Sequence, residues 1–189
     1  LGEWSVSELN PQVLFVGRGP FSRTLQRVLL QHAPTVRITE VGKVEAEAAV
    51  TADDYDVLFL VCPPQAHAKL LPLAWARNKP TWVEKPFSTS YVEANVLGQK
   101  WEQRGSPPCY VDFPHLRLPQ TERWNAASGA PVSHNLRSIS AMVGGPGPDR
   151  LYLNGRWDWG AHVASMLLYL GGGTKWSDGT VVVEQTTTK

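Results

Sequence analysis

The chain has 189 residues, a length that suits one large domain or two small ones. Hydrophobic residues make up 42% of the sequence and charged residues 19%, which provides enough apolar surface for a core and excludes a disordered chain. The 18 basic and 17 acidic residues leave a net charge of +1, so the charge does not indicate binding to nucleic acid or to an anionic membrane.

The sequence shows no targeting or membrane signal. No apolar run approaches the ~20 residues of a membrane-spanning helix. The first residues lack a basic segment followed by an apolar one, so we expect no signal peptide. The two cysteines, Cys62 and Cys109, have no metal spacing and are too few for a disulfide framework. We therefore expect a cytoplasmic protein.

The first part of the chain alternates apolar strands with helices. The first and third strands are continuous apolar runs, typical of a parallel sheet that is buried on both faces. In chain order the sequence predicts a strand at 13–16, a helix at 22–31, a strand at 36–41, a short helix at 44–50, a strand at 56–61, a helix at 66–77, a strand at 81–83, a helix at 88–104 capped by Ser88, and a strand at 109–111. This order predicts an α/β fold for residues 1–113: a Rossmann-type parallel sheet with helices on both faces.

The pattern changes after residue 113, and residues 114–189 are predicted to form a short α+β domain for substrate binding and oligomerisation. Its expected elements are a helix at 119–128, a strand at 132–143, an apolar helix at 158–170 and a strand at 181–184. The last strand would leave an unpaired edge, which favours pairing with a second chain. We therefore expect a dimer or a larger homo-oligomer.

A glycine-rich segment joins the first strand to the first helix. Gly17 permits a tight turn, Gly19 lets backbone N–H groups approach a pyrophosphate, and the helix N-terminus adds partial positive charge. Phe21 follows, and Ser22 takes the place of the third glycine of the G-x-G-x-x-G pattern. The segment predicts dinucleotide binding; the alternative is that the glycines only form a turn.

The end of the second predicted strand carries the residue expected to contact the adenosine ribose. Glu40 lies about 20 positions beyond the glycines, where an acidic residue binds the ribose diol of NAD. Lys43 is close and would favour the 2′-phosphate of NADP instead. Glu40 could equally be a solvated charge, so the sequence leaves NAD and NADP open as cofactors.

Three motifs between Asp56 and Pro86 occur in a specific order. Pro63-Pro64 ends an apolar strand, His67 opens a helix, and Glu84-Lys85-Pro86 ends the next strand. This combination resembles the Gfo/Idh/MocA family of oxidoreductases. The resemblance implies that the loop after the third strand passes over the nicotinamide, that Lys85 projects toward the reacting carbon, and that a cis peptide bond precedes the proline. The cofactor-binding residues that it implies are Pro63, Pro64, His67, Glu84 and Lys85.

A second segment, from Trp157 to His162, resembles the D-x-G-x-H segment of the same family. Asp158 and His162 are four residues apart, so a helix places both on one face. The resemblance implies that His162 acts with Lys85 on the substrate and that Asp158 orients one of the reacting groups. Asp158 could instead cap its helix, and His162 could be a core histidine. The residues predicted to contact the substrate are Trp157, Trp159 and His115.

Two departures from the family pattern bear on function. Ser165 stands where many members have Asp, and the segment from Asp112 to His115 also resembles the imine reductases of siderophore biosynthesis. The scattered His and Asp residues predict no metal site. The leading hypothesis is an NAD(P)-dependent oxidoreductase that acts on a small polar, sugar-like carbonyl or alcohol. The alternatives are an imine reductase of secondary metabolism and a non-catalytic scaffold that keeps the dinucleotide fold.

Overall fold

The computed structural model describes residues 10–121, 123 and 160–170. The chain divides into two compact units, Leu1–Asp112 and Phe113–Lys189. The strands of the first unit are β1 (Gln12–Val16), β2 (Arg37–Val41), β3 (Val57–Leu60), β4 (Thr81–Glu84) and β5 (Cys109–Asp112). Its helices are α1 (Pro20–His32), α2 (Ala46–Ala52), α3 (His67–Trp75) and α4 (Tyr91–Gln103). Each of the nine elements predicted for this part of the sequence is present, with shifted ends.

The five strands form one parallel sheet in the order β2-β1-β3-β4-β5. β2 lies on one side of β1, and β3, which follows β2 in the chain, lies on the other side of β1. Ligands of open α/β sheets bind beyond the carboxyl ends of the strands at such a reversal. The fold is therefore the predicted α/β, Rossmann-type sheet, and its reversal lies between β1 and β3.

Helices pack against both faces of the sheet. On one face Phe15 stacks on Phe59 with ring centroids 4.6 Å apart, and Phe59 stacks on Trp82 at 5.1 Å. Leu25 and Leu29 of α1 pack against this face. The other face buries Leu58, Leu60 and Val83 against α2, α3 and α4, which contribute Val50, Leu70, Leu71 and Leu97. Burial on both faces explains why the apolar runs of β1 and β3 do not alternate with polar residues.

The start of α4 differs from the prediction. Ser88 does not cap this helix, which begins at Tyr91 with Ser90 as its N-cap. The Ser90 hydroxyl accepts a hydrogen bond from the Glu93 N–H at 3.2 Å, and the Glu93 carboxylate accepts the Thr89 N–H at 2.8 Å. This reciprocal pair is a variant of the capping box, in which the glutamate accepts the N–H of the residue before the N-cap. Ser88 is buried and donates its hydroxyl to the Ser90 carbonyl at 2.7 Å, so it shapes the turn before the helix.

Two other helix starts are also displaced. Helix α1 begins at Pro20, two residues before the predicted start, because proline is favoured in the first turn, where its missing N–H costs nothing. The helix predicted at 66–77 begins as a 3₁₀ turn, Pro64–Ala66, and continues as α3 only to Trp75. Among the described residues, no helix is both long enough and apolar enough to cross a membrane.

The second unit is described at its beginning and in one helix. A 3₁₀ helix spans Pro114–Arg117, and α5 spans Gly160–Leu170 within the predicted helix at 158–170. The strands predicted at 132–143 and 181–184 lie outside the described residues, as does most of the helix predicted at 119–128. The α+β character of this unit and its role in oligomerisation therefore stay predictions.

Candidate functional site

Gly17 lies at the reversal of the sheet, directly after β1. Its φ of +130° is a conformation that side chains disfavour. A Cβ at this position would lie 2.0 Å from the backbone oxygen of Val61, which follows β3. The Gly17 N–H donates to the Val41 carbonyl at 3.0 Å, and the Val61 N–H donates to the Val16 carbonyl at 2.9 Å. The first glycine is thus required by the close approach of three strand ends.

Gly19 is different, because its surroundings do not require a glycine. It is the N-cap of α1, with φ −75° and ψ 168°, and a Cβ built on it meets no atom within 4 Å. An alanine could adopt this extended conformation before Pro20. The open space in front of a helix N-terminus is where a pyrophosphate can approach the backbone closely. The glycine loop therefore fits a dinucleotide.

Ser22, at the third glycine position, is fully buried in the first turn of α1. The Gln26 side-chain amide, one turn later, lies 3.1 Å from the Ser22 hydroxyl and donates to the Glu40 carboxylate at 2.7 Å. Glu40, the predicted ribose ligand, is therefore held by α1. Phe21 beside it is 48% exposed.

An exposed ion pair stands between the glycine loop and the end of β2. The Arg18 guanidinium lies 3.7 Å from Oε1 of Glu45, and the other oxygen of that carboxylate accepts the Gly42 N–H at 3.1 Å. Sequence reasoning did not identify Arg18 or Glu45 as site residues. Only the turn that follows β2 brings them together, since they are separated by a helix and a strand.

The loop after β3 is tied to the segment after β4 by His67. Pro63 is exposed and Pro64 is buried, and His67 is fully buried at the start of α3. Its Nδ1 lies 3.1 Å from the Phe87 carbonyl oxygen and its Nε2 lies 3.2 Å from that of Cys62. Burial lowers the pKa of His67, and the two carbonyls oppose that shift. The ring contacts carbonyls outside α3, so it does not act as a cap of the helix it begins.

A pair of carboxyl groups lies where β4 and β5 end. Glu84 and Asp112 are register partners in these two parallel strands, and the Glu84 carboxyl donates a hydrogen bond to that of Asp112. Burial raises the pKa of Glu84 to about 7, and the negative charge of Asp112 adds to the effect. Burial likewise raises the pKa of Asp112. Both carboxyls therefore keep a proton to higher pH than exposed carboxyls do, and Glu84 titrates close to neutral pH.

Lys85 follows this pair directly and is half-buried. The Lys85–Pro86 peptide bond is cis, as the resemblance implied. Lys85 lowers the pKa of both Glu84 and Asp112 by its positive charge, so it lies within electrostatic reach of both carboxyls. A cation beside a carboxyl that titrates close to neutral pH is an arrangement suited to moving a proton.

Two predicted site residues of the second unit lie in contact. The rings of His115 and His162 meet edge to face with centroids 4.5 Å apart, and His162 is buried. The Ser165 hydroxyl donates to the His162 carbonyl at 2.9 Å within α5. Trp157, Asp158 and Trp159 lie outside the described residues. Since Lys85 belongs to the first unit, its cooperation with His162 stays a prediction.

Asp112 is the residue of the site that sequence reasoning named only as a departure from a family pattern. The signal was available, because β4 and β5 were both predicted and Asp112 follows the apolar part of β5. The register between the two strands could not be predicted from the sequence, and this register alone places Asp112 beside Glu84. Within the described ranges, no group of three His, Cys, Asp or Glu residues is placed to hold a metal ion.

Solved structures share this fold. A Gfo/Idh/MocA family oxidoreductase from Vibrio cholerae is 17% identical, with a TM-score of 0.53 over 64% of this chain and 45% of its own. GenD2 from gentamicin A biosynthesis, in complex with NAD, is 16% identical, with a TM-score of 0.69 over 92% of this chain and 57% of its own. Biliverdin reductase from Synechocystis sp. PCC 6803, in complex with biliverdin and NADP+, is 16% identical, with a TM-score of 0.51 over 64% of this chain and 44% of its own.

The likeness to Gfo/Idh/MocA oxidoreductases that the motifs indicated is thus confirmed at the level of the fold. The chain spans between 44% and 57% of the length of these three proteins. No protein-family model matches the sequence, and no curated protein matches it. Identities of 16% and 17% establish the shared fold and leave the activity to be argued from the site.

Proposed function

We propose that this chain is an NAD(P)-dependent oxidoreductase that transfers hydride between the nicotinamide and a small polar, sugar-like carbonyl or alcohol. The observation that carries the proposal is the glycine loop at the sheet reversal. There, packing forbids a side chain at Gly17, whereas the space in front of Gly19 is open. The turn requires the first glycine, and the open space in front of the second, at a helix N-terminus, leaves room for a pyrophosphate.

The residues around this loop have distinct binding roles in the proposal. The backbone N–H groups at the start of α1 hold the pyrophosphate, and Gly19 permits its close approach. Phe21 and Ser22 complete the first turn, and Glu40 contacts the ribose. Pro63, Pro64 and His67 shape the loop that lies over the nicotinamide, with His67 joining that loop to the segment of Phe87.

Lys85 is the proposed catalytic acid. The bound nicotinamide supplies or accepts the hydride, so the protein must position the substrate and handle one proton. Lys85 donates that proton to the substrate oxygen during reduction and takes it back during oxidation. Glu84, whose pKa is raised to about 7 beside Asp112, can return a proton to Lys85 after turnover.

The second unit supplies the substrate side in this proposal. His162 acts with Lys85 on the reacting group, with Asp158 orienting it, and Trp157 and Trp159 keep water out. His115 supports this role, because its ring lies against the ring of His162. We also propose that the protein is a cytoplasmic homo-oligomer, at least a dimer. A solution mass equal to that of one 20.9 kDa chain at micromolar concentration would contradict the dimer.

Fluorescence titration with NADH and NADPH tests the cofactor directly. The sequence contains eight Trp, whose emission overlaps the absorption of the reduced nicotinamide, so binding is expected to quench it by energy transfer. Saturable quenching with a micromolar dissociation constant supports the proposal. If neither dinucleotide quenches the fluorescence, the proposed function is wrong.

The Gly19→Ala variant separates ligand binding from folding. Its Cβ meets no protein atom, so the free energy of unfolding is expected to change by less than about 1 kcal/mol. The same methyl would occupy the approach of the pyrophosphate, so dinucleotide affinity is expected to fall about tenfold or more. Gly98→Ala is the matched control, since a Cβ there also meets nothing but lies in α4, away from the loop. Equal affinities in the two variants would contradict the proposed loop.

Turnover assays distinguish the three functional hypotheses. Reduction of small polar carbonyls supports the leading one. Reduction of cyclic imines with no activity on carbonyls would favour the imine reductase, in which the proton goes to nitrogen. Tight dinucleotide binding without turnover on either panel would favour a scaffold.

A further inference from the structure

We propose that Arg18 and the Gly42 N–H form an anion subsite that selects the 2′-phosphate of NADP(H), and that Glu45 occupies this subsite when no dinucleotide is bound. The inference rests on the proposed function, which it deepens by choosing between the two cofactors. It also assigns the choice to residues that the sequence analysis did not name, in place of Glu40.

The first step is the geometry of the subsite. One carboxylate oxygen of Glu45 lies 3.7 Å from the Arg18 guanidinium, and the other accepts the Gly42 N–H at 3.1 Å. A guanidinium and a backbone N–H that converge on one anion are the donors that proteins use to bind phosphate. A side chain at Gly42 would displace this arrangement, because its Cβ would lie 3.1 Å from both the guanidinium and the carboxylate.

The second step is location. Arg18 stands between the two glycines of the loop, and Gly42 directly follows β2. In dinucleotide-binding folds the end of β2 faces the adenosine ribose, and a nearby arginine there accommodates a 2′-phosphate. The subsite therefore lies where the two cofactors differ from each other.

The third step concerns the carboxylate that would otherwise favour NAD. Glu40 pairs in register with Phe15, and alternation along β2 places it on the same face as Ile38, which packs in the cluster beneath α1. Its carboxylate accepts the Gln26 amide of α1 at 2.7 Å. Glu40 is thus directed to α1, which holds one of its two carboxylate oxygens, so less of this carboxylate is available to a ribose diol.

The fourth step is charge. The ion pair of Glu45 with Arg18 lies at the surface, where the two side chains are 51% and 53% exposed. An exposed ion pair of this kind is weak. A 2′-phosphate carries about two negative charges and three acceptor oxygens, so it can displace a single carboxylate. Lys43 is also exposed in the turn after β2 and adds positive charge close to the subsite.

The test compares NADPH and NADH binding by Trp fluorescence in the full chain and in three variants. The unmodified protein is expected to bind NADPH at least about tenfold more tightly than NADH, which corresponds to 1.4 kcal/mol. Arg18→Ala should remove that preference by weakening NADPH binding about tenfold, with little change for NADH. Glu45→Gln should strengthen NADPH binding a few-fold, because it removes the competing anion.

Arg37→Ala is the matched control. Arg37 is an exposed arginine at the opposite end of the same strand, β2, so its removal tests for an effect of overall charge alone. A second probe, 2′,5′-ADP, is expected to compete with NADPH far better than 5′-AMP does, and Arg18→Ala should abolish the difference. This readout depends on binding alone and needs no catalysis.

The outcomes separate this inference from the proposed function. If both dinucleotides bind equally, or if Arg18→Ala and Arg37→Ala behave alike, the subsite is refuted while the proposed function stands. If Glu45→Gln weakens NADH binding and leaves NADPH unchanged, Glu45 is a ribose ligand and the inference is wrong. If NADH, NADPH and 2′,5′-ADP all fail to bind, both proposals fail together.

Discussion

Two groups of charged side chains lie at the same carboxyl edge of the sheet, and they differ in how far they are buried. At the β1–β2 end, Arg18 and Glu45 form an ion pair with about half of each side chain exposed. At the β4–β5 end, burial raises the pKa values of Glu84 and Asp112 and so favours their protonated forms. The exposed carboxylate thus pairs with a cation in its charged form, whereas burial favours the protonated form of the other two carboxyls even beside Lys85. The first end suits binding of an anion, and the second suits movement of a proton.

The largest expected effect is on catalysis at the β4–β5 end. Lys85→Ala should lower turnover by about 10²–10⁴-fold while leaving the dissociation constant of the dinucleotide nearly unchanged, because the variant removes the proton donor and not the glycine loop. Lys85→Arg should also be poorly active, since arginine keeps the charge but does not release a proton. Steady-state kinetics beside fluorescence titration measures both quantities.

Lys100→Ala is the control for this prediction, because Lys100 is exposed on α4 and remote from the strand ends. Unchanged turnover in Lys85→Ala would assign the proton transfer to another residue. The β4–β5 end of the sheet would then have no catalytic role.

The next effect is on stability at the β1–β2 end. Gly17→Ala should lower the free energy of unfolding by about 3 kcal/mol or more, because its φ is +130° and its Cβ would meet the Val61 oxygen at 2.0 Å. Gly98→Ala should raise it by about 0.5–1 kcal/mol, since the helix gains from alanine and the space is free. Denaturant unfolding of both variants measures the difference. Equal free energies of unfolding would mean that Gly17 and the Val61 carbonyl do not lie as close together as the structure shows.

The third effect is the pH dependence that the carboxyl pair confers. The pKa of Glu84 is raised from 4.5 to about 7, so between these values the folded protein keeps a proton that the unfolded chain has lost. This group therefore stabilises the fold most below pH 4.5, and its contribution falls as the pH rises and is lost above about pH 7. Glu84→Gln should remove this decline. Asp112→Asn should move it to lower pH, because it removes the neighbouring negative charge.

Denaturant unfolding across this pH range tests the carboxyl pair, with Glu102→Gln as the control for an exposed carboxylate on α4. Burial of Glu84 and the charge of Asp112 raise its pKa, whereas Lys85 opposes them. If the free energy of unfolding of Glu84→Gln still declines with pH, another group causes the decline. The β4–β5 end would then not differ from the β1–β2 end in the way proposed.

The smallest effect is on the exposed ion pair. Glu45→Gln should change the free energy of unfolding by less than about 1 kcal/mol, because an exposed pair gains little in water and weakens further in salt. Thermal unfolding at low and high salt measures it. A loss of several kcal/mol would mean that Glu45 is a structural residue, which would make its displacement by a ligand costly.

The sequence by itself determined the elements and their order. Continuous apolar runs such as the one ending at Val16 can be stable only when both faces of a strand are covered, so they predict a parallel sheet with helices on both sides. The glycine loop and the segment from Glu84 to Pro86 could be read in the same way, because their spacing relative to strands is local. Ser88 was mistaken for a cap because several hydroxyls precede α4, and only the bonds of Ser90 distinguish them.

Only the tertiary structure decided which distant residues meet. Register places Asp112 beside Glu84, the turn after β2 places Glu45 beside Arg18, and packing places the ring of His115 on that of His162. It also directs Glu40 to Gln26, although its position along the chain suited a ribose ligand. These pairings depend on strand order, register and side-chain direction, which arise when the whole sheet assembles and which local spacing does not encode.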